Sequence, residues 1–226
     1  MNDDVTLTLN YADNSTKKFT GSVVKYCNLL AAQNGTTEDQ KKALDNMLDY
    51  GAAVQEYFDY RTDALANNDN YQDQDAINFT GDNADSTFYE DLKNHPAFGV
   101  KFKGAILSTT SKLALRLYFD VTNKDGLEVI VDGLVNDGMD ATLVKDSSHG
   151  ANAYYVEIDE IASCNLFDDA CFVLFTRGEE FHLMTYDVRR YAKRAIEGTD
   201  AGFANVMTRL YYYSTTIGAA FDLNAQ

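Results

Sequence analysis

Two stretches of this chain carry the same helical stripe, and that repetition limits its fold more than any other feature. Leu44, Met47, Tyr50, Val54, Phe58 and Asp59 recur as Met207, Leu210, Tyr213, Ile217, Phe221 and Asp222 with every spacing kept. Steps of three and four residues put such side chains on one helix face. Ahead of each stripe, Ser22-Val-Val-Lys-Tyr26 matches Asp187-Val-Arg-Arg-Tyr191, and Gly35-Thr36 matches Gly198-Thr199. A two-residue deletion between these matches reconciles them. Ser22 and Asp187 are N-cap residue types, and Gly35 and Gly198 punctuate the helices that follow them. Thr37 with Gln40 makes a capping box for the helix carrying the first stripe. The width of that stripe predicts a well-buried helix, with Phe58 and Phe221 both inside. A hairpin-like segment precedes each pair, over 5–20 and 170–185. The unit hairpin, helix, helix is therefore expected twice.

Between the two units the period changes from helical to twofold. Phe98, Val100 and Phe102 alternate with Lys101 and Lys103. Leu113, Leu115, Leu117, Phe119 and Val121 alternate with Ala114, Arg116, Tyr118 and Asp120; Tyr154, Val156 and Ile158 alternate with Tyr155, Glu157 and Asp159. Asn123-Lys-Asp-Gly126, Asn136-Asp-Gly138 and His149-Gly150 read as turns. Short strands at roughly ten-residue spacing predict an antiparallel sandwich. Cys171-Phe-Val-Leu-Phe175 is apolar throughout and is expected to be covered on both faces. The predicted class is α+β: a central antiparallel β-sandwich with two related helical pairs. The predicted segments are 1–66, an N-terminal hairpin and helical pair; 67–96, an acidic loop or linker with a short helix near 86–93; 97–186, the sandwich; and 187–226, the second helical pair.

A chain of 226 residues can bury roughly 70–75% of its extended surface, so no disulfide or metal is needed to hold its core. Its 19 Lys and Arg stand against 35 Asp and Glu, a net charge of −16. That field repels nucleic acid and anionic membrane faces, and neither is an expected partner. No apolar run is long enough to span a bilayer, so membrane insertion is not expected. No basic segment followed by an apolar one is found, and no signal peptide is expected within the sequence.

The segment Leu48-Asp-Tyr-Gly-Ala-Ala-Val-Gln-Glu-Tyr-Phe-Asp-Tyr-Arg-Thr-Asp-Ala-Leu-Ala-Asn67 resembles the "YGAAAQ-YFNYNTDNLAN" segment of modules in secreted surface proteins of gut Firmicutes. Gly104-Ala-Ile-Leu, Leu113 to Phe119, Tyr154-Tyr-Val-Glu-Ile and Leu210-Tyr-Tyr-Tyr fit as well, so the resemblance covers almost the whole chain. Such modules sit beside repeats, immunoglobulin-like domains, glycan-degrading domains or dockerins. The resemblance implies export to an extracellular or cell-surface location and a non-catalytic role. It supplies no functional residues to carry over. The acidic 67–91 loop and the pair Cys164 and Cys171 depart from it.

Chemistry-bearing motifs are few. There is no Gly-x-Ser-x-Gly, His-Glu-x-x-His, Walker loop or Gly-x-Gly-x-x-Gly. His95, His149 and His182 are far apart in sequence, and nothing favours pairing Cys27 with His182 or Cys171 with His149. Asp69, Asp73, Asp75, Asp82 and Asp85 offer hard oxygens, but their spacing fails the EF-hand pattern. No metal or cofactor is expected, and free thiols are expected at all three cysteines. A glycan platform needs an aromatic face fringed by hydrogen-bonding side chains. Arg116, Tyr118, Tyr155 and Glu157 supply one if their strands share a sheet. The expected function is a non-catalytic surface module for adhesion, spacing or glycan attachment, with a polysaccharide or another surface protein as partner. The alternatives are a carbohydrate-binding module proper, using the outward tyrosines, and a novel hydrolase.

Overall fold

A computed structural model describes the chain except residues 2, 12–14, 78, 80–90, 109–112, 134–135, 160, 168–169 and 222–226. In chain order the elements are β1 (Val5–Asn10), β2 (Thr16–Gly21), α1 (Val23–Ala31), α2 (Glu38–Tyr57), β3 (Val100–Ser108), β4 (Ala114–Val121), β5 (Glu128–Gly133), β6 (Asn136–Asp140), β7 (Val144–Lys145), β8 (Ala153–Ile158), β9 (Cys171–Arg177), β10 (Glu180–Tyr186), α3 (Val188–Ile196) and α4 (Ala201–Ala220). The chain is thus mixed α+β, with four α-helices and three antiparallel sheets among the described residues. No helix among these residues is long and apolar enough to cross a membrane. Two compact units form, one from Met1–Ile77 with Ala195–Gln226 and one from Asn78–Arg194.

In the first unit α1 and α2 start at the residues whose side chains cap them. Ser22 Oγ accepts from Lys25 N, and Thr37 and Gln40 complete a reciprocal capping box. Asp200 caps α4 by accepting from Phe203 N. Leu44, Leu48 and Ala52 of α2 form a core cluster with Cys27, Leu65 and Ala66. Tyr57 of α2 lies over Gly202 and Phe203 of α4, where a Cβ on Gly202 would meet the Tyr57 ring at 3.0 Å. The expected linker over 67–96 is divided between the units. Its first part is tied to α2 and α4: Gln72 N and Arg209 Nη1 both donate to Asp49 Oδ2, and Tyr212 OH donates to the Asp75 carbonyl. Polar composition suggested a linker, but its backbone groups and amides pair with buried Asp49 and Asn46. The helix expected near 86–93 falls mostly outside the described residues; Asp91–Asn94 forms a 3₁₀ turn.

The stripe's end is corrected. Phe58 is 59% exposed and Phe221 half-buried. Both are C-cap residues, where the chain leaves the helix and the stripe stops predicting a face.

In the second unit the sheet orders are β10-β9-β5-β6 and β3-β4-β8-β7. Leu115, Leu117 and Phe119 of β4 and Val156 of β8 are buried, as the twofold pattern requires. So are Cys171, Val173 and Phe175 of β9. Phe119 meets Phe175 edge-on at 4.8 Å, and Phe102 lies 5.7 Å from Tyr186. Each buried side chain of this size contributes roughly 1.5–3 kcal/mol. β9 is covered on one face rather than two, since Phe172 is exposed and Leu174 half-buried. Asn136-Asp-Gly138, expected as a turn, lies inside β6. The reversal falls earlier, between Gly133 and Asn136; Gly133 closes β5 with φ +84, and a Cβ there would stand 2.7 Å from the Ala170 carbonyl.

Candidate functional site

The β4–β8 ladder sets Tyr118 opposite Tyr155 and Arg116 opposite Glu157. Leu115, Leu117 and Phe119 take the core side, so alternation sends these four to the outer face. Arg116 Nε donates to Glu157 Oε2 at 2.5 Å, and the guanidinium lies 4.8 Å from the Tyr155 ring centre. The bond to Glu157 raises the guanidinium pKa above its already high value. The four residues read from the sequence are therefore neighbours.

They do not form a flat platform. The Tyr118 and Tyr155 rings are 5.4 Å apart and tilted by 42°. Tyr118 is only 6% exposed, because the turn after β7 folds over it. Its hydroxyl donates to Asp146 Oδ2 at 3.1 Å, and the His149 ring packs 4.6 Å away. Burial, then the Asp146 bond, raises the Tyr118 pKa. Asp146 in turn caps the 3₁₀ turn Ser147–His149. It accepts from Ser148 Oγ at 2.5 Å and from Ser148 N at 3.0 Å. The Ser148 hydroxyl leads the donors that hold the Asp146 carboxyl down to about 2.

Beside this turn lies a shallow depression of about 250 Å³, lined by Lys103, Gly104, Ala105, Ile106, Tyr118, His149 and Ala153. Ladder pairing places Gly104 beside Tyr118 and Ile106 beside Arg116. A glycine there leaves the floor open, with nothing within 4 Å of its missing Cβ. The result is an apolar floor with Lys103 and His149 in its lining, and with Arg116 paired across from Ile106. A larger hollow of about 470 Å³ sits at the other end of β3, with Lys93, Lys101 and Asp120 among its lining. It is the roomier of the two, but Phe102, its one aromatic ring, is engaged with Phe119 and Tyr186. The smaller depression brings Lys103 and His149 to the edge of the Tyr118 ring, and the half-buried Tyr155 ring lies next to Tyr118. Its volume falls just below the roughly 300–1,000 Å³ of sites that enclose drug-sized ligands, which suits one or two sugar rings held from one side.

The same groups are poorly placed for catalysis. Ser148 Oγ at 3.0 Å and Asp146 Oδ2 at 2.9 Å both contact Nδ1 of His149. A hydrolytic relay needs the serine and the carboxylate on opposite ring nitrogens. Asp146, ionised above about pH 2, holds no proton for a glycosidic oxygen at neutral pH. The cysteines are free and buried. Burial pushes the Cys27 thiol up to about 11 and the Cys171 thiol up to about 12, away from a nucleophile's range. Cys171 Sγ donates to the Tyr186 carbonyl at 3.3 Å. His95 and His182, distant in sequence, meet at 4.2 Å between ring centres, and His182 Nε2 lies 2.9 Å from Glu180 Oε1. Among the described residues no three His, Cys, Asp or Glu side chains gather so as to hold a metal ion. Asp69, Asp73 and Asp75 are exposed, while Asp82 and Asp85 lie outside the described residues.

Sequence reasoning missed Asp146, Ile106 and the placement of His149. The Asp-x-Ser-His spacing was the available signal, since a short acceptor before Ser favours a local capped turn. Nothing local says that this turn covers Tyr118. No known protein family, curated protein or solved structure matches the chain.

Proposed function

We propose that the chain is a non-catalytic extracellular or cell-surface module, and that the outer face of β3, β4 and β8 is its glycan contact. The observation that carries this reading is the depression at Ile106, Tyr118 and His149. Its apolar floor suits the C–H face of a sugar ring, and its polar rim suits equatorial hydroxyls. The rim side chains already hold one another through Tyr118–Asp146, His149–Asp146 and Arg116–Glu157, so little rotamer freedom is lost on binding. A polysaccharide is the proposed partner, and a spacing or adhesive role without a glycan is the alternative. A glycan array decides between them. Binding of the parent chain, weakened at least about tenfold by Tyr155→Ala or Ile106→Asp, is the expected result. An array without a single hit, or binding indifferent to both substitutions, would overturn the glycan contact.

We further propose that the two four-stranded sheets are the layers of one β-sandwich, and that hairpin, helix, helix is a duplicated unit. α1 and α3 are 9 residues each, and α2 and α4 are 20 each. Matched positions also touch one another. Tyr50 stacks on Tyr213 with rings 6.1 Å apart and 10° from parallel. Asn46 Nδ2 donates to the Tyr212 carbonyl, and its match Arg209 donates to Asp49, the match of Tyr212. Such reciprocal pairing of i with j and of j with i is the signature of a twofold interface.

A further inference from the structure

Resting on the duplication proposed above, we infer that β1 and β2 are the closing strands of a second β-sandwich, whose other strands are of the kind formed by residues 97–166. The two hairpins agree at their open ends, where they join the helices. In one, Val5 pairs with Gly21, Ser22 follows and α1 starts at Val23. In the other, Cys171 pairs with Tyr186, Asp187 follows and α3 starts at Val188. Val5, Leu7 and Leu9 therefore stand where Cys171, Val173 and Phe175 stand.

Their surroundings are opposite. Cys171, Val173 and Phe175 are each 0% exposed, packed in a core that β4 helps to build. Val5, Leu7 and Leu9 are 72%, 57% and 38% exposed. The helices repeat the contrast, with Val23 at 42% and Val188 at 0%. The strand edges differ as well. β9 has β10 on one side and β5 on the other, whereas among the described residues β1 pairs with β2 alone. An alternating strand with an open apolar face and an open edge is built for pairing. The second hairpin says with what: a strand such as β5 along the edge and a sheet such as β3-β4-β8-β7 over the face. The occupant is therefore a sandwich of the kind formed by residues 97–166. Its edge strand meets β1 as β5 meets β9, where Val129 pairs with Phe175 and Val131 with Val173. A second copy of this chain does not supply it, because its own β9 already fills that place on β5.

The test keeps the whole chain and adds a copy of residues 97–166 directly before Met1, so that Val5 follows the added segment as Cys171 follows Leu166. Leu7→Cys is placed in the parent and in the extended chain, and its alkylation is followed by peptide mapping. Thr6→Cys on the opposite face is the control, since its counterpart Phe172 remains exposed. The expected result is a slowing of Leu7→Cys labelling by about 100-fold or more in the extended chain, with Thr6→Cys changed by less than about tenfold. Equal labelling of Leu7→Cys in both chains overturns the inference, whether the added segment folds apart from the hairpin or does not fold. Superposition of the two hairpin-helix-helix segments in an experimental structure tests the duplication separately, so the two failures are distinguishable.

Discussion

Asp146 joins the turn Ser147–His149 to the buried Tyr118 ring through hydrogen bonds from both. Its carboxyl is held down to about 2, led by the Ser148 hydroxyl, against roughly 3.9 in an unfolded chain. A lowered carboxyl stabilises the fold above the unfolded value, and the stabilisation is lost as pH falls through the folded value. Denaturant midpoints should therefore drop between about pH 4 and pH 2, and Asp146→Asn should flatten that drop. A parent profile identical to that of Asp146→Asn would show that the turn is not held this way. Burial decides the neighbouring case. Phe175 is fully buried, and Phe175→Ala should cost roughly 3–5 kcal/mol. Phe58 lies past the end of α2, and Phe58→Ala should cost less than about 1 kcal/mol. Comparable losses at both sites, measured by urea unfolding, would contradict the placement of Phe58.

The helix ends offer the test at the scale of elements. Thr37 caps α2 and Asp200 caps α4, each by accepting from the amide three residues on. Thr37→Ala and Asp200→Ala should each cost about 1 kcal/mol in chemical unfolding, the usual worth of such a cap. No loss at either site would mean that the caps do not hold these helices. The end at Thr37 was legible in the sequence because capping is local chemistry, whereas Asp200 was not read as a cap. The outer faces of β4 and β8 were legible for a related reason: a half-buried strand writes its two faces in alternate residues, and Arg116, Tyr118, Tyr155 and Glu157 follow from that alternation, while the pairing of the two strands stood only as a condition. β6 was not legible, because Asn136-Asp-Gly138 has turn composition while the reversal lies before it, between Gly133 and Asn136. The covering of Tyr118 was hidden too. The turn at Asp146 is local, but its position over β4 follows from β7 pairing with β8 through only two residues. The stripe that located α2 ran one residue beyond its helix and so misplaced Phe58.

At the scale of the whole molecule, the two proposed contact surfaces belong to different compact units. The glycan face lies in Asn78–Arg194, and the open hairpin lies in the unit containing Met1–Ile77. The net charge of −16 bears on both. It disfavours polyanions at the face around Tyr118, and a neutral glycan bound there should lose little affinity as salt rises. Assignable aromatic residues lie in both units, so the location of binding can be read directly. The measurement is an NMR titration of the chain with a neutral glycan selected by the array, followed through assigned ring signals. The account predicts shifts at His149, Tyr155 and the Ile106 methyls, with Tyr50, Tyr57 and Tyr213 unmoved. Shifts confined to the tyrosines of α2 and α4, or saturating glycan with the His149 and Tyr155 signals unchanged, would contradict it.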